Sequence, residues 1–299
     1  LAVGIIGSGF GLYGYLPALV IGCRERVVLA ARYRTTLLGR PDVASLADAV
    51  IWADDDDHVL SLSSALIVAR RPVDSSAICR SALENGNITR ILVEKPIAPS
   101  PELAAVLLSD MSTAGMAFDA GYNFHLTPWA ARLVDHLETA APHSSINIEW
   151  AFQAHHYRFD LQNWKRRHED GGGALRFYGI HIVALLARLG FSSVAFSHAA
   201  RTDGEVRSWS ARFLNSDKVT CDVSVKADAD EAVFRVFGAG RLLAVEQYSP
   251  YDGIEGWAGY DGRVPIVAQL CHQFLSSEQQ LELHKDIVEL WLRAEQAIA

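Results

Sequence analysis

An apolar run from Ala2 to Ile6 leads straight into Gly7-Ser8-Gly9-Phe10-Gly11, and Leu12 to Ile21 follows with the apolar spacing of a helix. No other feature restricts the fold as tightly. A buried strand, a glycine turn and a helix, in that order, are what a pyrophosphate site needs. Glycine allows the tight turn and lets phosphate approach the backbone, and the helix start offers free N–H groups and the positive end of its dipole. The spacing departs from GxGxxG, because Leu12 holds the third glycine position and Gly11 comes one residue early. A chance turn is the alternative, and the placement between strand and helix argues against it.

The following residues extend this start into an α/β pattern. A second strand is expected at Val27 to Ala31, followed by Arg32-Tyr33-Arg34 with no acidic residue to bind ribose hydroxyls. Arginine at this place pairs with a 2′-phosphate, which tilts the expectation from NAD towards NADP; a solvated loop arginine is the other reading. Ala65 to Ala69 reads as a strand buried on both faces, Ser75 to Glu84 as a helix ending at Asn85-Gly86, and Ile91 to Val93 as a strand entering Glu94-Lys95-Pro96. Alternation of this kind implies a parallel sheet. Thr35 to Leu62 carries no clear period. Its acidic run Asp54 to Asp57 is expected to be a solvated loop, since four successive carboxylates point in different directions.

With 299 residues the chain is long enough for two domains, and a formal net charge of −8 excludes a nucleic-acid surface. No apolar run reaches the roughly 18 residues of a membrane span. Cys23, Cys79, Cys221 and Cys271 lie far apart and form no CxxC pair. Reduced thiols in a cytoplasmic protein without a structural metal are therefore expected.

The second half changes period. Ile146 to Phe152 alternates apolar and polar residues, and Val219, Cys221, Val223 and Val225 share one face of another strand. Val233 to Phe237 and Leu242 to Val245 flank a hairpin-like Gly238-Ala239-Gly240. An antiparallel sheet covered by helices on one side fits this pattern. Between its first strand and Gly171-Gly172-Gly173 lie His155-His156-Tyr157-Arg158 and Trp164-Lys165-Arg166-Arg167. This basic, aromatic stretch is placed to line a substrate pocket, and plain surface charge is the alternative for its cationic cluster. The adjacent histidines are not expected to share a metal, because neighbours on a strand point to opposite faces. Glu278 to Gln296 reads as an amphipathic structural helix.

Taken together, Gly7 to Gly11, Leu16-Pro17-Ala18-Leu19, Glu94-Lys95-Pro96, Gly121-Tyr122-Asn123 and Gly171 to Leu175 with Gly179 and His181 resemble the glucose–fructose oxidoreductase/inositol dehydrogenase/MocA (Gfo/Idh/MocA) family. The resemblance runs in order from Val3 to about Trp291. It implies a Rossmann domain over residues 1–120 and an α+β domain with a large, mostly antiparallel open sheet over 121–299. It implies hydride transfer between NAD(P) and a sugar, cyclitol or nucleotide-sugar, and a homodimer or homotetramer. The cofactor is expected on Gly7, Ser8, Gly9, Phe10, Gly11, Arg32, Arg34, Glu94 and Lys95. The substrate is expected against Lys95, Asn123, Trp164, Lys165 and His181. In the family the lysine lies beside the nicotinamide and the histidine exchanges the proton, which assigns catalysis to Lys95 and His181.

Two positions depart from the family. Phe177 stands where an aspartate precedes the histidine by four residues, and Tyr15 stands where many members have histidine. Aspartate on the same helical face would steady a charged histidine, whereas phenylalanine would depress its pKa by desolvation. Tyr178 is a candidate replacement hydroxyl, a core-facing tyrosine being the alternative. Phe177 also keeps open two further readings, a non-catalytic NAD(P)-binding regulator or sensor and a hydrolase working by transient oxidation.

Overall fold

The structure is a computed structural model, and it describes residues 2–238, 243–276 and 280–298. The chain forms two compact units, each assembled from separate stretches of sequence. The first comprises Leu1–Ile97, Leu107–Asn123 and Gly253–Leu281, and the second Ala98–Val106, Phe124–Asp252 and Glu282–Ala299.

Six parallel strands make up the sheet of the first unit: β1 (Ala2–Ile6), β2 (Arg26–Ala30), β3 (Val50–Ala53), β4 (Ala65–Val68), β5 (Arg90–Val93) and β6 (Ala117–Ala120). Their spatial order is β3-β2-β1-β4-β5-β6, so the direction of winding reverses between β1 and β4. Ligands of open α/β sheets bind outside the carboxyl ends at such a reversal. Continuous apolar runs in β1 and β4 are buried throughout, as strands covered on both faces require. Helix Pro72–Asn85 stops at Gly86, whose φ of 73° supplies the left-handed cap that the Asn-Gly pair predicts.

The acidic run proves to be a helix start where a loop is expected. Asp55 caps helix Asp56–Leu62, its carboxylate accepting the His58 N–H at 2.8 Å, and Asp56 and Asp57 lie in the first turn. Carboxylates there complete unpaired N–H groups and favour the positive dipole end, so crowding is tolerated. The sequence reading also passes over β3. A single boundary after residue 120 does not describe the first unit either, because residues 253–281 return to it. Helix Val264–Ser276 packs on the helix that follows the glycine turn, where a Cβ on Gly22 would lie 2.6 Å from Ala268 and 2.8 Å from Trp257.

The second unit holds the other six-stranded sheet: β7 (Ser145–Gln153), β8 (Phe191–Thr202), β9 (Glu205–Asn215), β10 (Thr220–Lys226), β11 (Asp228–Gly238) and β12 (Ala244–Gln247). Its order is β12-β11-β7-β10-β9-β8, with β7 and β10 parallel and all other neighbours antiparallel. Alternate residues of β7 and β10 (Ile146, Ile148, Trp150 and Cys221, Val223, Val225) are buried as the two-residue period predicts. On that face Trp129, from helix Pro128–Thr139, packs on Phe234 with ring centroids 4.9 Å apart. Part of the hairpin-like turn, Ala239 to Leu242, lies outside the described residues, as do Glu278 and Gln279 at the expected start of the final helix. That helix is described from Leu281 to Gln296.

Candidate functional site

In the first unit, Gly7 follows β1 with φ 147°, and a Cβ there would come within 2.0 Å of the Ala69 carbonyl oxygen beyond β4. Only glycine lets the two strand ends approach so closely. At Gly9, by contrast, a Cβ would meet nothing within 4 Å. Ser8 and Gly9 are exposed at the carboxyl ends of β1 and β4, and the backbone then enters a helix with π-helical segments Gly11–Tyr15 and Ala18–Cys23. An open glycine at a helix start beside the sheet reversal fits a dinucleotide pyrophosphate. The Phe10 ring is engaged elsewhere. It packs edge-on against Tyr13 and Tyr15, the Arg263 guanidinium lies 4.5 Å over it, and a Cβ on Gly14 would strike it at 2.4 Å.

Past the end of β2, Arg32 and Arg34 are both exposed. Arg32 donates to the Asp56 carboxylate and, at 3.0 Å, to the Tyr33 hydroxyl. Arg34 lies 5.6 Å over the Trp52 ring of β3. Asp56 is thus an acid that the sequence reading misses at this edge, because it arrives from a different strand–helix connection.

Glu94 and Lys95 follow β5 directly and emerge at the same carboxyl edge of the sheet. The Tyr15 hydroxyl donates to Glu94 Oε2 at 2.7 Å, and a Cβ on Gly121 would lie 2.8 Å from that oxygen. Burial pushes the Glu94 carboxyl up, while the Lys95 charge and the Tyr15 hydrogen bond pull it back. Tyr122 and Asn123, past β6, are both buried. The structure therefore gathers the glycine-turn helix, the Glu-Lys-Pro segment and the Gly-Tyr-Asn segment in one unit.

In the second unit, His181 opens helix Ile180–Arg188 and is only 3% exposed, its ring stacked on Phe124 at 4.5 Å and 14°. The preceding turn, Ala174–Gly179, is π-helical. Phe177 on it packs edge-on against Trp164 at 5.2 Å, and Lys165 Nζ lies 5.3 Å from its ring centre. Backbone bonds secure this grouping, with Gly172 N–H donating to the Arg167 carbonyl at 2.9 Å and Gly173 N–H to that of Lys165 at 2.8 Å. The glycine run is required by contact: a Cβ on Gly172 would fall 2.4 Å from the Trp164 carbonyl oxygen, and one on Gly179 2.7 Å from the Trp209 ring.

Tyr178 is set among the rings of Trp150, Phe152 and Phe177. Burial, with a smaller contribution from Tyr157, pushes its hydroxyl pKa up, which makes it a poor proton donor. His155-His156 stands on the short helix His155–Arg158, correcting the strand geometry expected of that pair. Burial and the charges of Lys165 and Arg166 bring the His156 imidazole down to about 4. Arg166 is no surface charge. It is buried with ion pairs of 2.6 Å to Glu205 and to Asp160. No group of three or more potential metal ligands occurs among the described residues.

A buried ion pair holds the π-helical turn. Arg176 donates to Glu295 at 2.7 and 3.2 Å and to the Pro99 and His168 carbonyls, while Trp291 donates to the same carboxylate at 3.1 Å. Burial alone would raise the Glu295 pKa, but the His168 and Arg176 hydrogen bonds outweigh it and hold the group at about 2. A depressed folded-state pKa stabilises the fold above the unfolded value, near 4.5, and that stability is lost as pH falls towards 2. Glu295→Gln should cost about 2–3 kcal/mol at pH 7, and the difference from wild type should shrink steadily below pH ~4.5. Urea unfolding across that range checks this, and a pH-independent difference would refute the electrostatic account.

No protein-family model matches the sequence, and neither does any curated protein. Solved structures do match. GenD2 from gentamicin A biosynthesis, in complex with NAD, superposes with a TM-score of 0.74 at 18% identity over 99% of this chain and 93% of its own. The WlbA dehydrogenase from Bordetella pertussis, with NADH and UDP-GlcNAcA, gives 0.76 at 15% identity over 99% and 97%. UDP-N-acetylglucosamine 3-dehydrogenase GnnA from Acidithiobacillus ferrooxidans gives 0.71 at 13% identity over 100% and 97%. At these identities the likeness establishes the fold. The chain shares the fold of these solved dehydrogenases.

Proposed function

We propose that this chain is an NAD(P)-dependent dehydrogenase or reductase acting on a hydroxyl or carbonyl of a sugar, cyclitol or nucleotide-sugar. One observation carries the reading: the open position at Gly9, with Lys95 at the same carboxyl edge of a sheet wound in dinucleotide-binding order. Gly7, Ser8, Gly9 and Gly11 and the backbone of Phe10 would hold the pyrophosphate, and Glu94 and Lys95 the nicotinamide end. The bound nicotinamide supplies or takes up the hydride. Lys95 donates a hydrogen bond to the reacting oxygen and stabilises developing negative charge there. His181, held flat against Phe124, exchanges the proton of that oxygen. Asn123, Trp164 and Lys165 orient the remainder of the sugar, and Lys165 serves any anionic substituent.

Mixing the protein with NAD or NADP and a panel of nucleotide-sugars, and following nicotinamide absorbance, tests the reading. The competing reading, a cofactor-binding regulator, rests on Phe177, whose ring beside Lys165 and Trp164 cannot serve as aspartate would. Cofactor binding without turnover on any substrate would favour it, and absence of cofactor binding would end both.

NADP is the proposed preference, and Arg34 is its main determinant because Arg32 is already committed to Asp56. Arg34→Ala should weaken NADP binding by about 1.5–3 kcal/mol and leave NAD nearly unchanged. A wild-type protein that binds NAD more tightly than NADP overturns the preference and leaves the fold assignment intact. Four free cysteines fit a reducing, cytoplasmic setting. The outer face of the second sheet, carrying Glu149, Asp222, Arg212 and Arg235, would meet a second copy in a homodimer or homotetramer, measurable by light scattering.

A further inference from the structure

Three separated stretches of the first unit converge on one carboxyl group. The Tyr15 hydroxyl donates to Glu94 Oε2 at 2.7 Å across 79 positions of sequence, from a side chain only 1% exposed. A Cβ on Gly121 would stand 2.8 Å from that oxygen and 2.9 Å from the Tyr15 hydroxyl, so the pair occupies the space that any larger residue would need. The charged and titratable groups bearing on the pair come from every neighbouring element. Lys95 is next in sequence, Arg263 comes from the residues before helix Val264–Ser276, and Tyr122 follows β6, while Asp119 and Cys271 act on Tyr15.

We propose that Tyr15 is a positioning residue for the reaction: its hydrogen bond fixes the Glu94 carboxyl group beside Lys95, so that Lys95 meets the reacting oxygen with its charge supported. This rests on the role proposed for Lys95. Burial raises the Glu94 pKa overall, and the Lys95 charge and the Tyr15 hydroxyl are the two largest influences opposing that rise. The attraction between carboxylate and ammonium is mutual, so weakening one partner weakens the other. A purely structural hydrogen bond would contribute stability and leave the pH dependence of turnover unmoved.

Tyr15→Phe retains the ring that packs on Phe10 at 5.4 Å and removes only the donor. Loss of the Tyr15 donor should raise the Glu94 pKa, because that hydrogen bond favours the charged form. Activity that requires the carboxylate is lost below this pKa, so the acid limb of the turnover profile should move to higher pH. The deficit in turnover should be largest on the acid side and shrink in alkali. Infrared spectroscopy reads the same group without turnover: the protonated-carboxyl band of Glu94 should persist to higher pH in Tyr15→Phe than in wild type, and be missing from Tyr15→Phe/Glu94→Gln. A Tyr15→Phe protein with the wild-type pH profile and a carboxyl band that titrates as in wild type would overturn the proposal. Because the infrared measurement needs no substrate, a protein inactive on every sugar would sink the dehydrogenase reading while the band still decides whether Tyr15 acts on the Glu94 carboxyl group.

Discussion

Lys95→Ala and His181→Ala should each lower turnover by about 10²–10⁴-fold, the range typical of a positioned acid–base group, with little change in cofactor affinity. Lys95 emerges directly from β5, and its backbone is fixed by its place after the strand and before Pro96. Truncation there removes the hydrogen bond and the charge offered to the reacting oxygen while the glycine turn that holds the pyrophosphate is untouched. His181 is buried and stacked on Phe124, so His181→Ala also opens a small cavity and should reduce thermal stability modestly. Single-turnover rates, with cofactor dissociation constants and melting temperatures measured alongside, separate the effects. Full activity in His181→Ala would move the proton role elsewhere. Tyr178 is a weak substitute, because burial among three aromatic rings raises its pKa. Loss of cofactor binding in Lys95→Ala would mean that its contact with the nicotinamide end is its main part, and the catalytic assignment would fail.

The legible parts of the fold are those governed by local rules. β1, its glycine turn and the helix beyond it are continuous in sequence, and helix Pro72–Asn85 ends where Asn-Gly predicts. β7 and β10 keep a strict two-residue period with one buried face. β8 and β9 escaped notice because their ladder is irregular at three points, which breaks the alternation along β8. A signal was nonetheless present: Asp203-Gly204, with φ of 50° and 79°, is the tight hairpin turn that an Asp-Gly pair favours. The acidic run concealed a helix for a similar reason, since a capping aspartate reads as a loop until the helix behind it is recognised.

The site divides along the same line. Its candidate residues lie in short contiguous motifs, which the family resemblance picks out. It does not pick out their partners. Tyr15 and Glu94 are 79 positions apart, and Arg176 and Glu295 are 119 apart. Neither pair has a period or spacing that sequence could reveal, and only the winding of the sheet or the return of the last helix brings them together. Tyr15 was visible merely as a departure from a pattern. Its role as donor to a buried carboxyl depends on Gly121 leaving room for both groups.

Gly9→Asp and Gly7→Ala should fail in opposite ways, and the contrast is the strongest test of the cofactor site. At Gly7 a methyl group would lie 2.0 Å from the Ala69 carbonyl oxygen, on a backbone with φ 147°. The fold must shift to accept it, at about 1–3 kcal/mol for the strained backbone alone, so Gly7→Ala should lower the melting temperature with or without cofactor. At Gly9 a Cβ meets nothing within 4 Å, and the residue is exposed, so the apo protein should fold and melt almost as wild type. Two unit charges about 4 Å apart near a protein surface repel by roughly 4 kcal/mol, and an aspartate at this turn would face the pyrophosphate at short range. Cofactor affinity should therefore drop by about 10²-fold or more, since each 1.4 kcal/mol is a factor of ten. Titration of the wild-type and Gly9→Asp proteins with NAD and NADP, read by calorimetry, measures the difference directly. A Gly9→Asp protein that retains its stability and also its cofactor affinity would remove the dinucleotide from this turn, and with it the basis for placing hydride chemistry beside Lys95.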